Sequence, residues 1–454
     1  MMSIVRNQAL TFVLLMGYIL SSIIYLKSSF NYLFDYMAFY MPMFHSQITG
    51  FGDWETIWTL RGMYMCFGLG FISISILLLK RLRQSWIHNT LSAIFALGFI
   101  GAGMYLGHLH LNRFNTSVET SERMIDLNNE YLSFAQIDIN AHEIFLTQAE
   151  DAIRVESGIS GKSKSESDEF VFNLNPGLDV QAITADGQPI EFNRKLHLLF
   201  VKFDTIIPPG TDISFRVNYS GSIDSDALFI DVDLKHKFER PDDYLFDIGR
   251  RHVYIEPDFL LLTPEAQWYL QSGVGYSTES ASWFHKDLID YTLNVETLPG
   301  LLPVSMGQRH ETAEDHYTFA LDHALPQMSL SIGNYEKQSL NIDSLEISVY
   351  HIEGHDYFTD AFADIRDTLP SIILERLRDF ERRSDLKYPF EEFSIVEVPG
   401  DFKSYDRAWT SIHQNNQPGL LYFPEKGLFS RRNDFNGSVK RQKNWRNNRN
   451  KTPE

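Results

Sequence analysis

The sequence predicts a membrane-anchored α+β chain: three transmembrane helices, then an antiparallel β domain, then the opening of an α/β domain. Three observations carry this. Three apolar runs without a charge crowd the first 110 residues. From Tyr131 onward the apolar residues recur with a period of two, broken by Gly, Pro and Asp every 8–12 residues, as short antiparallel strands require. From Leu345 the pattern becomes a strand, a helical stretch and two further apolar runs.

The totals bound the answer. The 454 residues have room for two or three domains. A net charge of −19 argues against nucleic acid as a partner, because phosphate binding needs basic surface. The single cysteine, Cys66, lies in an apolar run, so neither an intrachain disulfide nor a cysteine-based zinc site can form. Folding of any exported part then rests on its core.

Residues 9–26, 63–79 and 91–107 are the apolar runs. A span needs roughly 17–25 such residues, and all three qualify. The first also has the look of a signal peptide, but no small-residue cleavage site follows it and two further spans do, so it is read as retained. The short connection Lys80-Arg81-Leu82-Arg83 is basic, which places it, and the N-terminus with Arg6, in the cytoplasm. The loop at 27–60 and residues 111–454 are then periplasmic or extracellular, with the spans in the cell inner (plasma) membrane. The aromatic loop at 30–44 either lies in the lipid interface or packs on the spans. No charged residue lies within the three runs, so they offer no ion path by themselves. His108 and His110 end the third run and read as interfacial polar residues.

Residues 113–346 form the first outside domain. A short helix at 119–130 leads to alternating strands at Tyr131–Ile139, Ala152–Glu156, Phe170–Leu174, Leu178–Ile183, Ile190–Phe192, Leu196–Phe203, Ile213–Tyr219 and Asp290–Glu296. Ala185-Asp186-Gly187 marks a tight turn. Gly158–Asp168 reads as a polar, mobile hairpin tip.

Residues 347–425 open a second outside domain. A strand ends at Tyr350. A helix is expected from Tyr357 to Arg383, with Pro370 kinking or breaking it. A buried strand at Ile395–Val398 and an apolar run at Leu420–Phe423 follow. His351-Ile352-Glu353-Gly354-His355 imitates a zinc motif, but that motif is H-E-x-x-H on a helix. Here Glu353 lies two after His351, and the segment continues a strand, where histidines four apart are roughly 13 Å apart. It is therefore not read as a metal site, and no H-E-x-x-H occurs elsewhere. Residues 426–454 are rich in Lys, Arg and Asn without an apolar period, and are expected to be a disordered basic tail.

The stretch Phe393–Glu425 resembles the substrate-edge strand of the gluzincin aminopeptidases, the membrane alanyl aminopeptidase family. There a hydrophobic strand leads to G-x-M-E-N, then G-L and an aromatic strand ending in Glu. Here Gly419-Leu420 and Glu425 match, while His413, Gln414, Asn415, Asn416 and Gln417 stand where G-x-M-E-N would be. The likeness extends upstream through the turn Asp186-Gly187, Tyr219-Ser220-Gly221, Gln267-Trp268-Tyr269, Val304-Ser305-Met306-Gly307, Met328–Tyr335 and Tyr388-Pro389. It covers roughly residues 130 to 425. It implies a saddle-shaped β domain followed by part of a thermolysin-like domain, with zinc as cofactor in the parent protein and a peptide substrate.

The resemblance also implies site residues. Asn416, Gln417, Gly419 and Leu420 would line the substrate, with Asn416 in place of the glutamate that binds the substrate α-amine. Glu256, Glu265 and Gln267 lie in the segment where the family sets an acidic or amide side chain against that amine. Each also reads as an ordinary loop residue. No catalytic residue and no metal ligand are expected in the chain itself. The family's zinc motif would follow downstream, which makes the chain read as C-terminally truncated, ending on the helix start Thr452-Pro453-Glu454. The spans resemble the last spans of bacterial fusions between ABC transporter permeases and such ectodomains, which implies the lipid bilayer and ABC transporter subunits as partners. No Walker motif is present. Two functions stay open: part of a membrane-anchored zinc metallopeptidase, inactive alone, or a non-catalytic peptide-binding or adaptor ectodomain attached to an exporter permease.

Overall fold

The computed structural model describes residues 5, 7–26, 30, 32–36, 38, 41–78, 86–233, 250–279, 287–321, 323–356, 367–405, 407 and 414–425. They form two compact units. One holds the described residues of Met1–His45 and Phe51–Glu119, the other those of Ser46–Gly50, Thr120–Phe238 and Arg250–Glu454. The basic connection Lys80-Arg81-Leu82-Arg83, His413 and the tail 426–454 lie outside the described residues.

Three helices, Gln8–Leu26, Trp54–Leu78 and Trp86–Glu130, are long and apolar enough to cross a membrane. Asn7 caps the first through Leu10 N at 3.2 Å, and Asp53 caps the second through Thr56 N at 3.0 Å. Phe12, Trp58 and Leu97 stand largely exposed on their surfaces, as side chains facing lipid do. The second helix begins well before its uncharged run and so carries Glu55 and Arg61. Arg61 donates to the carbonyls of Asp35 and Tyr36, both at 3.0 Å. In the same unit Met41 and Leu33 of the aromatic loop pack with Leu60 and Met63, so the described part of that loop lies on the helices. Small residues let the second and third helices approach: an added Cβ at Gly70 would meet Ile100 at 2.8 Å, and one at Gly103 would meet Phe67 at 3.0 Å. The separate short helix expected at 119–130 is instead the end of the third, one unbroken helix of 45 residues. Neither Gly nor Pro interrupts it after Gly107.

The β part of the second unit is built from an eight-stranded and two four-stranded sheets. The large sheet runs in the order Gln308–Ala313, His316–Ala320, Asp290–Glu296, Ile137–Gln148, Ile153–Ser163, Asp212–Gly221, Leu178–Ala185 and Gln188–Pro189. It is antiparallel except where Asp290–Glu296 lies parallel to Ile137–Gln148. Alternation decides the buried face: Ile213, Phe215, Val217 and Tyr219 point inward between exposed neighbours. Asp186 and Gly187, at φ of 50° and 76°, make the tight turn the sequence announced. One continuous core joins these sheets, with Phe170, Phe172, Trp268 and Tyr269 fully buried.

Three local expectations are corrected. The first strand starts at Ile137, not Tyr131, because Tyr131 and Phe134 turn to pack on Phe200. Gly158–Ser163 is no hairpin tip but paired strand, with Ile159 buried against the core. The strand expected at Ile190–Phe192 runs from Glu191 to Lys195 in another sheet. Of the helix expected at Tyr357–Arg383 the described part is Leu369–Ser384, and Pro370 sits in its first turn, where its missing N–H costs nothing. Residues 357–366 of the expected helix lie outside the described ones.

The last sheet has five strands in the order Tyr335–Ile342, Leu345–Ile352, Glu392–Val398, Leu420–Pro424 and Asn416–Gln417. The middle three are parallel, as buried strands of mainly apolar residues tend to be. Pro418 and Gly419, the latter at φ 73°, turn Asn416–Gln417 back onto Leu420 and Leu421. The outer edge of Leu420–Pro424 is thus covered over its first two residues.

Candidate functional site

A cavity of about 230 Å³ opens in the second unit, and its walls come from distant parts of the sequence. Its floor is the segment Pro264–Gly275. Pro264–Ala266 is one 3₁₀ turn, which ends in Gln267 with left-handed backbone, φ 50°. A non-glycine residue held there is unusual and is fixed by its surroundings. Tyr219 Oη donates to Trp268 O at 3.1 Å, Met328 N donates to Tyr269 Oη at 3.1 Å, and Asn175 N donates to Gln267 O at 2.9 Å. The buried Trp268-Tyr269-Leu270 run therefore clamps the turn, and Gln267 lines the cavity.

Asn173, the last residue of the strand Ser167–Asn173, forms a second wall. Gln327 and Gln414 form a third. Their amides are oriented by a relay. Gln417 Nε2 donates to Gln414 O at 2.9 Å, which leaves Gln417 Oε1 to accept from Gln327 Nε2. Gln327 Oε1 is thereby an acceptor without a partner. Glu265 N donates to Gln414 Oε1 at 3.0 Å, tying the third wall to the floor.

Charge enters through Arg407. Its guanidinium forks onto Asp231 and Glu265, and its face lies 5.0 Å from the Phe229 ring centroid. At the rim, Lys164 Nζ lies 3.0 Å from Asp287 Oδ1, and Asp287 Oδ2 accepts from Ile139 N at 3.2 Å. Burial, then a hydrogen bond with Asp287, raises the carboxyl pKa of neighbouring Asp138.

The structure places the sequence-derived residues as follows. Glu265 and Gln267 line the cavity, while Glu256 lies apart, on the hairpin Tyr254–Ile255/Phe259–Leu262, where it pairs with Arg251. Gln417 is buried and linked to the cavity wall through Gln327. Asn416 is exposed on the short edge strand, Gly419 occupies the turn, and Leu420 is fully buried. Sequence reasoning missed Asn173, Gln327 and Arg407. None carries a motif, and long-range contacts place them: Asn173 pairs with Gln271 across two strands, Gln327 donates to Gln417, and Arg407 pairs with Glu265.

His351 and His355 do not converge. His351, at the end of its strand, has Nε2 3.0 Å from Gln338 Nε2, whereas His355, beyond the turn at Gly354, has Nδ1 2.7 Å from Glu397 Oε1. Among the described residues no three His, Cys, Asp or Glu side chains are grouped to hold a metal ion. These residues do not fit a zinc centre.

No family model matches the sequence, and no curated protein matches it. Solved structures do. A point mutant of the M1 zinc metallopeptidase from Deinococcus radiodurans matches with a TM-score of 0.44 at 14% identity, over 64% of this chain and 60% of that one. The unmutated protein matches with a TM-score of 0.43 at 14% identity over the same shares. The mutant bound to a Tyr-Ser-Ala substrate matches with a TM-score of 0.39 at 13% identity, over 58% of this chain and 57% of that one. The chain thus spans about 60% of the length of the first structures it matches.

Proposed function

We propose that the second unit is a peptide-binding ectodomain of gluzincin aminopeptidase build, anchored by the three helices in the inner membrane and facing the periplasm or exterior. One observation carries this reading. Glu265 and Gln267, from the segment that the resemblance assigns to the substrate amine, share a cavity with Gln414, from the segment that stands in place of G-x-M-E-N. Some 150 residues separate them in the chain, and nothing in their local structure requires them to meet. A peptide would enter with its amino end towards Glu265 and Gln267 and its backbone along Asn416 and Gly419, with the buried Gln417 and Leu420 supporting that edge from behind.

Hydrolysis would be the business of zinc, which the parent enzyme of the resemblance carries and which the described residues do not fit. The alternative is an adaptor ectodomain attached to an ABC-type exporter permease, and it shares the binding but not the chemistry. The pairing of Glu265 with Arg407 and the neutral Asn416 favour it, since both weaken an anionic anchor for an amine.

The test is calorimetric titration of the full chain in nanodiscs with Ala-Ala-Ala and with its N-acetyl form. Saturable binding of the free tripeptide, lost on acetylation, supports the reading. Absence of binding to either overturns it. Peptidase activity on addition of zinc would exclude the adaptor reading, whereas its absence is expected of both.

A further inference from the structure

Beyond Gly273 one wall of the cavity leaves its sheet. Gly273 N still donates to Val171 O at 2.9 Å, which continues the pairing of Gln271 and Ser272 with Asn173 and Phe172. The next residues, Val274, Gly275 and Tyr276, also line the cavity, and a backbone that has left its ladder must find partners elsewhere. It finds them on the last turn of the helix Trp86–Glu130. Asn128 is fully buried there. Its Nδ2 donates to Tyr276 O at 2.8 Å, while its Oδ1 accepts from Gly275 N at 3.2 Å and lies 2.7 Å from His197 Nε2. Asn129 takes the following two residues. Its Oδ1 accepts from Ser277 Oγ at 2.7 Å and from Thr278 N at 3.1 Å, and its Nδ2 donates to Thr278 Oγ1 at 3.0 Å.

The residue type suits the task. An amide side chain carries both an acceptor and donors, and Asn128 uses both kinds at once on adjoining residues of the wall. Its orientation is fixed by them: turned over, its Nδ2 would face the Gly275 N–H and its Oδ1 the Tyr276 carbonyl. The wall also runs close to the helix. A Cβ added at Gly275 would lie 3.2 Å from Asn128 Nδ2 and 3.0 Å from Asn173 Nδ2. Leu127 and Tyr131, on either side of the asparagines, share with Val274 the small core of Val171, Leu198 and Phe200. The wall is thus placed by the helix end, while its own strand pairing stops at Gly273.

We propose that Asn128 and Asn129 are positioning residues for the peptide site, holding the wall at residues 274–278 in its binding-competent place, so that peptide affinity is set from the end of the third helix. This rests on the reading of the unit as a peptide-binding ectodomain and adds to it which part of the chain controls binding. The physical basis is population: a site that binds only while its wall is seated loses affinity in proportion to the fraction of time the wall is away.

The test is calorimetric titration of the full chain in nanodiscs with Ala-Ala-Ala, combined with hydrogen exchange at the Gly275 and Thr278 amides. In the native chain the peptide should slow exchange at both. Asn129 is only half-buried, so Asn129→Ala should leave the urea unfolding transition in place. It should speed exchange at Thr278 and weaken Ala-Ala-Ala at least about fivefold. Asn129→Asp keeps an acceptor for Ser277 and Thr278 and should bind within about twofold of the native chain. Asn128→Ala removes all three bonds of the buried amide and should weaken binding further; if it fails to fold, the two Asn129 variants still decide. Unchanged affinity in Asn129→Ala, despite faster exchange at Thr278, overturns the proposal and leaves the asparagines a purely structural role. Equal weakening in Asn129→Ala and Asn129→Asp overturns it too, because the acceptor would then not matter. Absence of Ala-Ala-Ala binding by the native chain overturns the peptide reading itself.

Discussion

Arg407 holds Glu265 in a two-bond fork, Nη1 to Oε2 at 2.8 Å and Nη2 to Oε1 at 3.1 Å, while Nε and Nη2 each reach an oxygen of Asp231 at 2.6 Å. Burial alone would lower the guanidinium pKa, but the two carboxylates outweigh it and hold the group above its ordinary value. Breaking such a buried cluster from one side strands two carboxylates. Arg407→Met should therefore cost about 3–5 kcal/mol of stability. The triple variant Arg407→Met, Glu265→Gln, Asp231→Asn should recover most of it, because it leaves no buried charge. Urea unfolding followed by tryptophan fluorescence reads both. A loss below about 1 kcal/mol in the single variant would mean that water already relieves the site.

The protein should be labile to acid because of two histidines. His142 is enclosed, with Nε2 2.6 Å from Ser157 Oγ and its ring stacked on Tyr291, and burial lowers its pKa to about 3. His197 is lowered to about 3 by burial and by Arg194. The unfolded chain protonates both near 6.5. Between these values the unfolded state binds more protons, so stability is intact above pH 6.5 and falls as pH drops towards 3, by about 1.4 kcal/mol per pH unit for each histidine. His142→Phe should lose about 1 kcal/mol at pH 8, where the hydrogen bond to Ser157 is gone, yet show a shallower acid slope, so that its curve meets the native one at about pH 6. Parallel curves would show that His142 is not held neutral.

The period-two segments were legible because alternation directly encodes which face of a sheet is buried: Asp290–Glu296 and the strands at Leu178 and Ile213 follow it closely. The three helices long and apolar enough to cross a membrane were legible from composition. The sequence failed at Gly158–Ser163, whose Gly and Ser residues resemble a loop but fill a tight interior. Of the candidate site, Glu265 and Gln267 were visible through their neighbourhood to Trp268-Tyr269. Asn173, Gln327 and Arg407 were not, because they are joined only by long-range pairing and bear no local pattern.

Gly161 is where that tight interior can be tested. An added Cβ there would lie 2.4 Å from the carbonyl oxygen of Asp138 and 2.7 Å from Ile137 Cγ2, beside the irregular register at Ile139 and Ala141. The neighbour is backbone of the adjacent strand and cannot swing aside. Gly161→Ala should destabilise the β domain by about 1–3 kcal/mol, the usual penalty for forcing atoms into a packed interior. Gly187→Ala, at a turn with open space around it, should act through its φ of 76° alone and cost about 1 kcal/mol. Thermal unfolding of both variants ranks them. If Gly161→Ala were the milder, Gly158–Ser163 would be the loose tip that its composition suggests.

Glu425 offers a pH dependence of opposite sign to the histidines. Its buried carboxylate accepts from Gln47 N and Gly400 N, both at 2.7 Å, while its own N–H donates to Val398 O at 2.8 Å. Burial raises its pKa most, and Glu397 adds to this, while the hydrogen bonds from Ser46, Gly400 and Gln47 only partly oppose them. A carboxyl raised above its unfolded value contributes stability that is full below the unfolded pKa near 4.5 and is lost as pH rises through the folded one. Glu425→Gln keeps an acceptor oxygen for one backbone N–H and removes the ionisation. Its unfolding midpoint should match the native one at pH 4 and exceed it increasingly towards pH 8. A variant less stable than the native chain at pH 8 would show instead that the two charge-assisted bonds to Gln47 and Gly400 outweigh the cost of burying the carboxylate.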